Sequence, residues 1–169
     1  MTPGGQIVGG GSGYYTDAHW HLSGVNGSNG AFVDKAGNLP AGIHEATWDE
    51  FTARFASTGH RRALAAGLKR ALDSLPGAGC ERVYVDGSFV TSKDVPGDFD
   101  GCWEARRVDP GRVDPVLLDF ADARRAQKAK YRGELFPAEA AADPAGTRFL
   151  ECFQQDKNTG GSKAFSPST

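Results

Sequence analysis

The chain has 169 residues, of which 39% are hydrophobic and 24% charged, and its formal net charge is −2. That length supports one domain with a real core and is too short for two ordinary ones. The near-neutral balance excludes a strong overall field toward nucleic acid, and no apolar run reaches the length of a membrane span.

No basic start followed by an apolar stretch marks a secretory signal, and a cytoplasmic protein without a membrane partner is expected. Cys80, Cys102 and Cys152 lie far apart and form no CxxC pair. They read as buried or free thiols in a reducing compartment, not as metal or disulfide partners.

Residues 1–38 carry the glycine runs "GGGSG" and "NGSNG" and keep no apolar period, which reads as a flexible leader. In "HWH", His19 and His21 share one side of any extended segment. With no third ligand nearby they read as incidental histidines. "GGGSG" lacks the preceding strand and following helix of a phosphate loop. The ordered domain is expected over residues 39–169.

Thr47-x-x-Glu50 is a capping-box pattern and opens a short helix with Trp48, Phe51 and Phe55. A second helix is predicted from Gly59 to Leu75, because Leu64, Leu68 and Leu72 recur every four residues. Pro76-Gly77 ends it. "CERVYVDG" then alternates as a strand, and "DFDGCW" reads as a second strand. Asp114-Pro115 has helix-start chemistry, which predicts a third helix to about Tyr131. "GELFP" is a third strand. Asp143-Pro144 repeats the helix start, with Phe149, Leu150, Cys152 and Phe153 on one face. "DKNTGG" is a turn, and "SKAFSPST" an edge strand or a frayed end. This order predicts an α/β (α+β) fold, a small mixed sheet flanked by helices.

The chemistry concentrates in "YVDGSFVTSKDVPGDFDGCW". Asp98 and Asp100 are two apart on a predicted strand, so both carboxylates share a face while Phe99 points into the core. Two carboxylates on one face call for a positive charge between them. A divalent cation such as Mg²⁺ supplies it. Gly87 allows close backbone approach to a ligand, and Ser88 adds a hydroxyl beside turn amides that suit phosphate. Lys93 in the connecting loop adds a positive charge. A third carboxylate on a neighbouring strand would complete a two-metal site. Glu134 fits, while Asp119 and Glu151 are rivals within predicted helices. The plainer reading is a hairpin with surface aspartates beside the good turn "DVPGD". Arg124, Lys128 and Arg132 recur every four residues and read as a solvated helix face, with a phosphate-rich acceptor such as tRNA as the functional alternative.

The Gly-Ser, variable gap and Asp-x-Asp of this stretch resemble the hallmark of the DNA polymerase beta-type nucleotidyltransferase superfamily. More narrowly, residues 39–160 are similar to small nucleotidyltransferase-like proteins of bacteria and their phages. Segments such as "RVYVDGSFVTSK", "PGDFDGCW", "DPVLLDF" and "AQKAKYRGELFPA" carry that likeness. The resemblance implies a nucleotidyltransferase-like fold and transfer of a nucleoside monophosphate from a nucleoside triphosphate to a hydroxyl of a protein, an RNA or a small molecule. It implies that Gly87 and Ser88 bind the triphosphate and that Asp98 and Asp100 hold two Mg²⁺ ions, with Glu134 carried over by position. A catalytically inactive relative that keeps the fold to bind a nucleotide or a protein is the alternative. The glycine-rich leader and the end "AFSPST" depart from the pattern, whose members continue into an apolar strand.

Overall fold

The computed structural model describes residues 21–23 and 43–154. In chain order the elements are β1 (His21–Ser23), β2 (Ile43–Glu45), α1 (Trp48–Phe55), α2 (Gly59–Ser74), β3 (Val83–Asp86), β4 (Phe99–Trp103), α3 (Arg125–Tyr131), β5 (Gly133–Pro137) and α4 (Phe149–Phe153). The protein is therefore mixed α+β. Its three-stranded sheet runs β3-β4-β5, with β3 antiparallel and β5 parallel to β4.

The starts of α1 and α2 were legible in the sequence. Thr47 caps α1: its Oγ1 accepts from the Glu50 amide at 3.3 Å, and Glu50 Oε2 accepts from the Thr47 amide at 2.8 Å. Leu64, Leu68 and Leu72 of α2 are buried, as their spacing demands. Helix α2 stops at Ser74 and yields to a 3₁₀ turn over Pro76–Ala78.

The sheet has two unlike faces because side chains alternate along each strand. Val83, Val85, Phe99, Trp103 and Leu135 join the main core with α1 and α2. Tyr84, Cys102 and Phe136 point the other way and pack with Phe153 of α4. That second cluster covers only one end of its face. Cys80 and Cys102 are buried free thiols and Cys152 is half-buried, as expected. Burial pushes the Cys80 thiol up to about 12.

Three expectations need correction. The leader over residues 1–38 contains β1, which pairs antiparallel with β2; the remainder of that span lies outside the described residues. So do the imidazoles of "HWH" and the ends "DKNTGG" and "SKAFSPST".

The predicted helix from Asp114 to Tyr131 is broken. Asp114 does cap a turn, but only a 3₁₀ turn over Pro115–Leu118. Asp119 is then extended, and its Oδ1 accepts from the Ala121 amide at 3.0 Å, a local bond that competes with helix. Asp122, Ala123 and Arg124 come next with φ of 46°, 53° and 60°, so α3 begins only at Arg125.

Likewise Asp143 closes a turn by accepting from the Thr147 amide at 3.0 Å, and α4 waits until Phe149. In both places an aspartate bonds its own loop instead of starting a long helix.

Candidate functional site

Strand register builds the site. Asp86 of β3 faces Asp100 of β4, and Asp100 faces Glu134 of β5. Alternation puts all three carboxylates on the face that Tyr84, Cys102 and Phe136 share, at the end the second cluster leaves uncovered. Asp98 sits one residue ahead of β4, so the strand begins slightly later than predicted. Between Asp98 and Asp100, Phe99 is fully buried and anchors the strand.

Gly87 turns directly beneath this row. Its φ is +81°, and a Cβ there would lie 2.3 Å from Asp100 Oδ2. Only glycine permits both the left-handed backbone and the approach. Ser88 opens a 3₁₀ turn over Ser88–Val90, and its carbonyl accepts from the Thr91 hydroxyl at 2.8 Å. Gly87, Ser88, Asp98 and Asp100 thus meet at one corner of the sheet.

Two cations close that corner, both from the basic stripe read as a solvated helix face. Arg124 forks onto Glu134: Nε donates to Oε2 at 2.6 Å and Nη2 to Oε1 at 3.3 Å. Lys128 Nζ lies 3.1 Å from Asp98 Oδ2 and 3.7 Å from Glu134 Oε2. One ammonium therefore spans Asp98 and Glu134. The spacing of Arg124 and Lys128 was visible in the sequence; their partners were not, because Asp98 and Glu134 belong to two neighbouring strands whose pairing no local repeat shows. Arg132 is exposed at the end of α3.

Glu134 is only 8% exposed. Burial pushes its carboxyl up, but the hydrogen bond from Arg124 and the charges of Lys128 and Arg124 outweigh it and hold the group below the usual carboxylate range. A depressed folded-state value contributes stability above the ordinary carboxylate pKa that is lost as pH falls through the folded value. Glu134→Gln is accordingly expected to lower stability at pH 7 and to differ less from wild type as the solution is acidified below the ordinary carboxylate range. Urea unfolding of both proteins at neutral and at acidic pH checks this. A gap that widens in acid would reverse the assigned sign.

Three candidates named from the sequence lie elsewhere. Lys93 is exposed and lines a groove with Arg54, Thr58 and Asp94, while its carbonyl accepts from Arg61. Asp119 spends its carboxylate on the Ala121 amide. Glu151 caps α4 by accepting from the Arg148 amide at 3.2 Å. Asp86 was not singled out in the sequence; the signal was its place two residues after Tyr84 on the same strand.

The donor set of Asp98, Asp100 and Glu134 is all carboxylate oxygen, which suits a hard divalent cation such as Mg²⁺. Among the described residues, no three His, Cys, Asp or Glu side chains stand close enough together to hold a metal ion. Arg124 and Lys128 lie among these carboxylates and take up their charge. A polar cavity of about 380 Å³ elsewhere on the surface is lined by Arg82, Glu104, Arg106 and Glu139, among others. Its arginines pair with its own glutamates, Arg82 with Glu104 and Arg106 with Glu139, each at 3.5 Å.

Fold and site define a mixed α+β protein whose small sheet presents a row of carboxylates beside a glycine turn and under two cations. The chain matches a family of unknown function (DUF6932) over residues 31–166 and belongs to that family. The match begins within the span read as leader. Comparison with curated proteins and with solved structures gave no match. Among the described residues, no helix is long and apolar enough to cross a membrane.

Proposed function

We propose that this protein is a Mg²⁺-dependent nucleotidyltransferase that moves a nucleoside monophosphate from a nucleoside triphosphate to a hydroxyl of a protein, an RNA or a small molecule. The observation that carries the reading is the register of Glu134 opposite Asp100, with Gly87 packed against the Asp100 carboxylate. Glu134 pairs with Asp100 on the neighbouring strand, which supports a third acid of the kind the resemblance to nucleotidyltransferases implies. The cytosol is the proposed compartment, in keeping with buried unpaired thiols at Cys80 and Cys102.

In this reading Asp98, Asp100 and Glu134, which do not converge as they stand, would draw together on the metal as Arg124 and Lys128 turn to the nucleotide, and the metal would supply Lewis acidity to the transferring phosphorus and its leaving group. The chain's own contribution is position and charge. Gly87 lets the backbone come close, and the Ser88 hydroxyl stands beside it to orient the phosphates. Arg124 and Lys128 balance carboxylate charge when no nucleotide is bound. With a nucleotide present they neutralise phosphate oxygens instead. The acceptor oxygen bonds to the α-phosphorus as the bond to pyrophosphate breaks, and the acceptor's proton leaves to solvent or to a site carboxylate.

A second reading keeps the fold as a catalytically inactive nucleotide-binding module. The fork of Arg124 on Glu134 favours it, since an acid so tied is a poor free ligand. One experiment separates the two. The protein is incubated with α-labelled nucleoside triphosphates, Mg²⁺ and cell extract, beside Asp98→Ala/Asp100→Ala. Transfer predicts a labelled acceptor with wild type and none with the double variant. Label that survives the double substitution sinks the mechanism. Nucleotide binding with no labelled acceptor leaves the binding module.

A further inference from the structure

Beside the carboxylate row, a ladder of parallel aromatic rings runs out to solvent. Phe136 lies two residues beyond Glu134 on the same face of β5, roughly 7 Å along the strand. Its ring stacks on Phe149 with centroids 4.0 Å apart and planes 9° from parallel. Phe120 continues the set at 5.9 Å and 11°. Phe136 is buried, but Phe120 is 42% exposed. The guanidinium of Arg124, which forks onto Glu134, also lies over Phe136 at 5.5 Å from its centroid. Arg124 therefore joins the ring ladder to the acidic site.

Phe120 sits in a short extended link, yet that link is held. Gln127 of α3 is fully buried. Its Nε2 donates to the Asp119 carbonyl at 3.3 Å, and its Oε1 accepts from the Leu135 amide at 2.9 Å. One side chain thus ties the residue before Phe120 to the strand that carries Glu134 and Phe136. The Asp119 carboxylate fixes the other flank through the Ala121 amide. An exposed ring held parallel to two others by a buried amide is a preformed flat surface. Such surfaces stack nucleobases, because every base has a π-face.

We infer that Phe120 is the platform for the nucleobase of the nucleotide whose phosphates lie against Ser88 and Arg124. This rests on the transferase or nucleotide-binding reading of the site and adds the subsite that holds the base. A ring ladder selects by stacking area. Purine nucleotides bind more tightly than pyrimidine nucleotides.

Calorimetric titration of the full chain with Mg-ATP, Mg-UTP and Mg-tripolyphosphate tests this. Phe120→Ala is expected to weaken ATP binding about ten-fold, the scale of losing one base–aromatic stack, while tripolyphosphate binding stays unchanged. Phe120→Trp restores ATP binding, which separates a stacking role from damage to the link. The preference of wild type for ATP over UTP shrinks in Phe120→Ala. Equal ATP affinity in wild type and Phe120→Ala overturns the platform and leaves the nucleotide site standing. Equal weakening of ATP and tripolyphosphate overturns it as well, because the ring would then act through Arg124. Failure of wild type to bind any nucleotide overturns the platform together with the reading beneath it.

Discussion

Arg61→Met is expected to cost about 3–4 kcal/mol of unfolding free energy, the scale of several buried carbonyls left without a charged donor. Arg61 of α2 is 5% exposed. Its Nη1 donates to the carbonyls of Phe55 at 3.1 Å and Phe89 at 2.8 Å. Its Nη2 donates to the carbonyls of Thr91 at 3.0 Å and Lys93. Three of these four acceptors belong to the link that runs on from Gly87 and Ser88. The neighbouring His60 Nε2 meets the Pro96 carbonyl at 2.6 Å, so the first turn of α2 grips both limbs of that link. Methionine keeps an apolar stem in place, and the loss therefore reports the hydrogen bonds. Urea unfolding should show a lower midpoint at unchanged slope. Amides from Ser88 to Lys93 should exchange faster. A loss below about 1 kcal/mol would mean that water readily replaces the guanidinium.

Gly67→Ala is the second large effect. Alanine is the better helix former by about 1 kcal/mol, so propensity alone predicts stabilisation. The structure predicts the reverse. A Cβ at Gly67 would lie 1.9 Å from the Tyr131 carbonyl oxygen and 2.8 Å from its carbon. These are backbone atoms at the end of α3, and no rotamer change can relieve the overlap. Helices α2 and α3 must separate, at about 2–4 kcal/mol after the propensity gain is offset. The displacement also moves Arg124 and Lys128, so the fork onto Glu134 should loosen. Gly77→Ala is the control, since nothing lies within 4 Å of a Cβ there. Thermal unfolding of the three proteins decides the matter. A Gly67→Ala protein as stable as wild type would show that the two helices do not touch in solution.

Much of the fold was readable because its signals are local. The capping box at Thr47, the leucine stripe of α2 and the alternation of Val83 with Tyr84 each need only neighbours in the chain. The same locality misled at Asp114 and Asp143. An aspartate before a proline starts a helix or closes a turn with equal chemistry, and the residues beyond the proline decide between them. Here the left-handed run from Asp122 to Arg124 divides the predicted helix. That run sets Arg124 over Glu134, which no helical repeat would have shown.

By itself the sequence determined that Asp100 faces away from the buried Phe99, that Gly87 precedes it at a tight turn, and that Glu134 lies on a strand. These are consequences of side-chain period and backbone freedom, which are properties of a few consecutive residues. Only the tertiary structure decided what those groups meet. Strand register put Asp86 and Glu134 on either side of Asp100. The turn before α3 brought Arg124 onto Glu134, and α3 brought Lys128 across to Asp98, while Lys93 went to another groove. Phe120 joined Phe136 in a parallel stack although the whole of α3 separates them in the chain. Pairings of this kind depend on which strand lies beside which and how two helices approach. Those choices are made by burial summed over the whole core, not by any short stretch of it.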